Sequence, residues 1–155
     1  MSTHADIRIF VDGDACPVKD EVFRVADRYA LQVFVVANAF MRVPRDERIK
    51  LIVVDAGPDV ADDWIIERIG SSDIVVTADI PLAHRALKRG ASVIGTTGRP
   101  FTTDSIGAAL ATRDLMEHLR GTGEILGGGP PPFAKSDRSR FLSALDDAVN
   151  RLRRK

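Results

Sequence analysis

IRIFVDGDACP, residues 7–17, is an apolar run that stops on two aspartates one glycine apart. Five strand-forming residues, Ile7 to Val11, precede the pair, and Gly13 lets the backbone bend tightly after it. Pro17 suits the first turn of a helix, and Val18, Val22, Val25, Ala26 and Tyr29 then recur at helical spacing as far as Ala30. The stretch therefore predicts a strand, a turn and a helix, with Asp12 closing the strand and Asp14 in the turn.

The same pattern repeats outward along the chain. QVFVVA (32–37), KLIVV (50–54), DIVVTA (73–78) and SVIG (92–95) are near-continuously apolar, as strands of a parallel sheet covered on both faces must be. Pro58 to Ile69 and Ile80 to Arg89 predict two further helices, whereas NAFMRVPRDERI (38–49) is a long connection with no clear pattern. Alternating strands and helices imply a doubly wound α/β domain spanning residues 1–155. After residue 100 the pattern changes. Asp104 to Leu119 and Asp137 to Arg153 predict C-terminal helices, joined by a glycine- and proline-rich loop, GTGEILGGGPPPF (121–133). Phe141, Leu142, Leu145, Val149 and Leu152 form an apolar stripe on the last helix, so residues 104–155 are expected to pack on the sheet as a helical extension.

Composition excludes several classes. No apolar run approaches the roughly 20 residues of a membrane span, and the opening MSTHADIRIF lacks the basic-then-apolar layout of a signal peptide. One cysteine cannot form an internal disulfide or a cysteine-based zinc site. A cytoplasmic protein without membrane segments is the expectation. The zero net charge conceals an asymmetry: residues 1–79 carry 9 Lys and Arg against 15 Asp and Glu, and residues 80–155 carry 13 against 7. Such a split suits acidic chemistry in one half and an anionic partner at the other, although uneven surface charge alone would produce it too.

In a doubly wound sheet, ligands bind beyond the carboxyl ends of the strands, where the strand order reverses. Asp12 and Asp79 stand at two such ends, Asp55 closes the third strand, and Asp14, Asp62 and Asp63 lie in adjacent turns or first helical turns. Carboxylates about 4 Å apart repel by a few kcal/mol per pair at an effective dielectric near 20. A hard divalent cation, Mg²⁺ or Mn²⁺, resolves that repulsion with oxygen ligands and water. Each aspartate also has a plainer role available. Asp12 or Asp14 can cap the helix at Pro17, Asp79 the helix beginning near Pro81, and Asp62 or Asp63 can complement a helix dipole. Asp59 is assigned to capping. Cys16 fits a small buried residue better than a catalytic thiol, since neighbouring carboxylates disfavour a thiolate. The glycines of GGGPPPF can cradle phosphate, but no Lys-Ser or Lys-Thr follows them as in a P-loop.

VDGDACP, VAN (36–38), RVP (42–44), GPDVADDWI, TADIPLA (77–83), RDLMEHLR (113–120) and the GGP…DRSRF ending resemble the uncharacterised bacterial YaiI/YqxD family over nearly the whole chain. Gly13 replaces the alanine usual in the first motif, and TTGRPF departs from the family pattern, which weakens a role for Arg99. The family is usually grouped with PIN-like nucleases. That resemblance implies a PIN-like parallel sheet and matches Asp12 to the acidic residue ending the first strand, Asp79 to the one after the fourth, and Asp62 or Asp63 to a middle helical position. Asp104 is the nearest match for a later acidic position.

The leading expectation is a metal-dependent, ribonuclease-like phosphodiesterase. Its catalytic residues would be Asp12, Asp14, Asp63 and Asp79, its metal ligands would be drawn from Asp12, Asp14, Asp62, Asp63 and Asp79, and Thr77, Arg42, Arg45 and Arg138 would contact substrate. Single-stranded RNA or another phosphorylated molecule is the expected substrate. The alternative is a catalytically inactive PIN-like module that binds nucleic acid or protein. A haloacid-dehalogenase-type phosphatase would need its paired acidic motif after Thr77, whereas Asp62-Asp63 precedes it. A phosphoacceptor receiver would need a lysine ending the fifth strand, and SVIGTTG has none.

Overall fold

The strand residues alternate between two apolar surfaces, and that period of two explains the architecture. In the computed structural model, which describes residues 7–122 and 133–154, β1 spans Arg8–Asp12, β2 Gln32–Ala37, β3 Ile49–Val53, β4 Asp73–Val76, β5 Ser92–Ile94 and β6 Pro100–Phe101. The helices are α1 (Lys19–Tyr29), α2 (Val60–Ile66), α3 (Ile80–Lys88), α4 (Thr103–Thr122) and α5 (Lys135–Arg153). Ile9, Val11, Val33, Val35, Ile74 and Val76 point to a core shared with Val18, Val22 and Val25 of the α1 region and with Phe141, Leu145 and Val149 of α5. Phe10, Val36, Val75 and Val93 point the other way, onto Ala61 and Ile65 of α2, Leu82, Ala83 and Ala86 of α3, and Ile106 of α4. A strand buried on both faces has no polar side.

One sheet runs in the order β3-β2-β1-β4-β5-β6. All neighbours are parallel except β5 and β6. The chain winds outward from β1 in one direction and returns to continue from β1 in the other, so the order reverses between β1 and β4. Their register is pinned at the amino end, where Arg8 lies opposite Asp73. Asp73, 3% exposed, accepts two hydrogen bonds from the Arg8 guanidinium, at 3.0 and 2.9 Å, and one from the Gly70 N–H. A buried carboxylate held by a bidentate guanidinium is costly to break. The opposite ends of the same two strands carry Asp12 and Thr77.

The predicted fold class holds: a doubly wound, mostly parallel α/β sheet. β2 has the expected bounds, and the other long strands differ from expectation by a residue or two at their ends. Helix α1 begins at Lys19 and not at Pro17, because Gly13–Ala15 form a single 3-10 turn before it. Helix α2 is shorter than expected: Asp59 sits at φ 64° ahead of it, and it ends at Ile66. The antiparallel β6 was not anticipated. Helix α4 continues to Thr122, and the rest of the proposed 121–133 linker falls on residues 123–132, outside those described, together with its proposed phosphate-cradling glycines.

Candidate functional site

Asp12 is the last residue of β1, and Thr77 follows β4 directly, so the two stand together at the carboxyl ends of neighbouring strands where the strand order reverses, the place at which doubly wound sheets form a crevice. Thr77 is 1% exposed. Its hydroxyl donates to Asp12 Oδ2 at 3.0 Å and accepts the Asp79 N–H at 2.9 Å. The side chain expected to contact substrate is thus buried between two site residues and acts through them, fixing the Asp12 carboxylate and the backbone that presents Asp79. Asp79 is exposed and caps α3, its Oδ1 accepting the Leu82 N–H at 3.1 Å. That duty occupies one of its oxygens.

Helix α2 supplies the third carboxylate. Ala61 and Ile65 are buried, and Trp64 packs against the stacked rings of Phe10 and Phe34 at centroid distances of 6.1 and 6.2 Å. This anchoring sets the helix rotation and leaves Asp62 half-buried. Burial raises the Asp62 pKa to about 6, reinforced by the charges of Asp79, Asp12 and Asp59 and opposed only by Arg85. Burial likewise raises the Asp12 pKa, against the lowering bond from Thr77, and Asp79 and Asp14 add to the rise. Asp12, Asp62 and Asp79 therefore feel one another. Asp63, the next residue, is turned elsewhere: it pairs with Arg85 of α3 at 2.8 Å and is more exposed.

Asp14 lies at the margin. Both its oxygens accept the Asn38 N–H, at 3.0 and 3.1 Å, which ties the turn after β1 to the end of β2. Lys19 donates to the Gly13 and Cys16 carbonyls at 3.3 and 2.9 Å, securing the same turn from below. The capping of α1 by Asp12 or Asp14 is not seen; the residue preceding α1 is Val18, with no side-chain cap. Asp59 precedes α2 as expected but makes no capping bond with its side chain. Asp55, expected to close the third strand, is exposed two residues beyond the end of β3 at Val53, and Asp104 is exposed in the first turn of α4. Cys16 is buried in the core, and burial raises its pKa. Among the described residues, no three His, Cys, Asp or Glu side chains gather closely enough to form a ready metal cage.

The basic residues divide in two. Arg138 donates to the Pro17 carbonyl at 2.7 Å and lies over the Phe133 ring, so it fastens α5 to the segment leading into α1. Arg42 and Arg45 are exposed on the connection after β2. Sequence reasoning overlooked Lys19, Asn38 and Arg85. Of these only Asn38 left a trace, as the last residue of the VAN stretch ending β2.

The fold is an open α/β sheet of doubly wound type with aspartates at its strand-order reversal. The chain belongs to the uncharacterized BCR, YaiI/YqxD family, whose model matches residues 10–151. It is 60% identical to the UPF0178 protein of Caulobacter sp. (strain K31) over 94% of this chain and 96% of that one. It is also 60% identical to the UPF0178 protein of Parvibaculum lavamentivorans, over 95% and 96%, and 58% identical to that of Azorhizobium caulinodans, over 96% and 92%. No solved structure matches the chain. Among the described residues, no helix is long and apolar enough to cross a membrane.

Proposed function

We propose that the crevice formed by Asp12, Asp62 and Asp79 holds a divalent cation, Mg²⁺ or Mn²⁺, and that the chain is a PIN-like, ribonuclease-like phosphodiesterase. The observation that carries this reading is the Asp62 carboxyl, raised to about 6 by burial and by the carboxylates of Asp79 and Asp12. Negative charge that Arg85 only partly offsets, at a strand-order reversal, suits a hard cation better than it suits stability. The donor set is all oxygen. With no cage of three closely gathered carboxylates among the described residues, it fits an ion that keeps most of its waters and takes one or two protein ligands, as Mg²⁺ does beside a phosphate. When bound, such an ion activates water and offsets charge on a scissile phosphate.

The chain's own residues would do the rest. Thr77 orients Asp12, the cap to Leu82 orients Asp79, and the Phe10–Phe34–Trp64 packing holds α2 and with it Asp62. Arg42 and Arg45 would meet substrate phosphates arriving at the edge of the crevice. Asp63, committed to Arg85, would hold α2 against α3, and Asp14 would shape the turn and add charge nearby.

One observation favours the alternative of a non-catalytic binding module: Asp79 and Asp14 already serve as hydrogen-bond acceptors for the backbone. Asp79→Asn separates the two readings, because asparagine keeps the cap and removes only the charge. A phosphodiesterase should lose Mn²⁺-dependent cleavage of single-stranded RNA by at least about a hundred-fold in this variant, roughly the value of one transition-state charge contact. In chelator the variant should bind RNA no less tightly than the wild type, with steep salt dependence. Binding without cleavage in either protein supports the module instead.

A further inference from the structure

Phe40 is 81% exposed, the most exposed large apolar side chain among the described residues. It lies on the connection between β2 and β3, which leaves β2 at the carboxyl edge of the sheet. Val36 is the register partner of Asp12, and the Asn38 N–H is bound to Asp14. Two residues of chain span at most about 7 Å, so Phe40 stands at the carboxyl edge beside the aspartates. From Phe40 to Pro44 the segment has no helix, and its side chains divide. Met41 and Val43 pack against the core beneath α1 and α5, whereas Phe40 and Arg42 are exposed. In an extended chain residues two apart share a face, so the ring and the guanidinium point outward together. Arg45 is exposed three residues further on. Neither Arg42 nor Arg45 enters an ion pair among the described residues, while Arg48 on the same connection pairs with Asp46 and Asp27.

A protein partner would find little contiguous apolar surface here, because the exposed apolar neighbours of the ring are the small Ala39 and Pro44, and Asn38, Arg42 and Arg45 on the same connection are exposed polar or charged residues. A single-stranded nucleic acid offers what this edge lacks, a planar base for the ring and phosphates for the two arginines. A duplex keeps its bases stacked on one another and has none to give. We propose that Phe40 is a base-stacking platform and that Arg42 and Arg45 hold the adjoining phosphates, so that a single strand is led along the β2–β3 connection to the aspartate crevice. The proposal rests on the phosphodiesterase reading for its destination but not for its binding chemistry.

The test uses the full chain in chelator and fluorescence anisotropy with a labelled single-stranded RNA of about ten nucleotides, beside an abasic strand of equal length and charge. Phe40→Ala should weaken binding of the intact strand about ten-fold and leave the abasic strand unchanged, and Phe40→Trp should restore binding. Arg42→Ala should weaken both strands and reduce the salt slope by about one. A loss in Phe40→Ala that is equal for both strands, no loss at all, or a change in sedimentation that reveals a protein contact would overturn the platform. Mn²⁺-dependent cleavage of bis(p-nitrophenyl) phosphate, measured in parallel, reports on the aspartates alone. Retained diester cleavage with RNA binding indifferent to Phe40 leaves the crevice reading standing and the platform refuted. Phe40-dependent binding without diester cleavage does the reverse.

Discussion

Asp62 and Asp63 are neighbours in sequence with opposite surroundings. Asp63 pairs directly with Arg85, whereas Asp62 meets burial and three other carboxylates that outweigh the pull of Arg85. The consequence for stability has a definite sign. An unfolded aspartate titrates near 3.9, while Asp62 in the fold titrates at about 6. Between those values the native state holds more protons than the unfolded one, so this group's contribution to stability is present at low pH and lost as pH rises toward about 6. Asp62→Asn should therefore melt with wild type near pH 4 and above it at pH 7.5 in chelator. The gap should be small, because Asp62 is only half-buried and solvent screens it. Equal melting temperatures across the whole range, measured by calorimetry, would show that Asp62 is not under repulsion. Asp12 and Asp79 could be read from sequence because each closes an apolar run. The choice between Asp62 and Asp63 could not, since it depends on the rotation of α2, which Trp64 sets through contacts with Phe10 on β1 and Phe34 on β2.

Helices and strands were legible where a period persisted for several residues. β2 and the apolar stripes of α1 and α5 are examples: Phe141, Leu145 and Val149 are fully buried, as their spacing requires. β6 was invisible because two residues carry no period. Its existence depends on a turn in which the Gly98 N–H donates to the Gly95 carbonyl at 3.0 Å and the Gly95 N–H to the Arg99 carbonyl at 2.8 Å. Gly98 adopts φ 88°, and a Cβ there would lie 2.6 Å from the Arg140 carbonyl carbon of α5. The obstacle is backbone, which cannot swing aside. Gly98→Ala should accordingly destabilise the fold by about 1–3 kcal/mol, read as a lower urea midpoint, through positive-φ strain and displacement of α5 together. Gly107, whose Cβ position is open, is the control: Gly107→Ala in α4 should be neutral or slightly stabilising. Equal midpoints for Gly98→Ala and wild type would mean that the β5–β6 turn does not bear on α5.

Across the whole molecule, the excess of acid in residues 1–79 and of base in residues 80–155 has a partly internal meaning. Arg138 binds the Pro17 carbonyl, Arg140 pairs with Asp137, and Arg153 lies over Tyr29, so several cations of α5 serve its own capping and its docking on α1. The acidic half is different, because Asp12, Asp62 and Asp79 lie close enough at the carboxyl end of β1 for Asp79 to raise the other two, and of these Asp62 is opposed by Arg85. A sheet that reverses its strand order beside Asp12 thus collects negative charge at the carboxyl ends of its central strands. Whether that charge awaits a cation is decided by counting free Mn²⁺ by electron paramagnetic resonance during titration of the chelator-stripped protein. Wild type should bind Mn²⁺ at pH 7.5 and lose affinity as pH falls through about 6, where Asp62 takes up a proton. Asp62→Asn should bind at least about ten-fold more weakly at pH 7.5, a loss of about 1.4 kcal/mol. Equal affinity in the two proteins, or no binding by wild type, would contradict a cation site in this crevice.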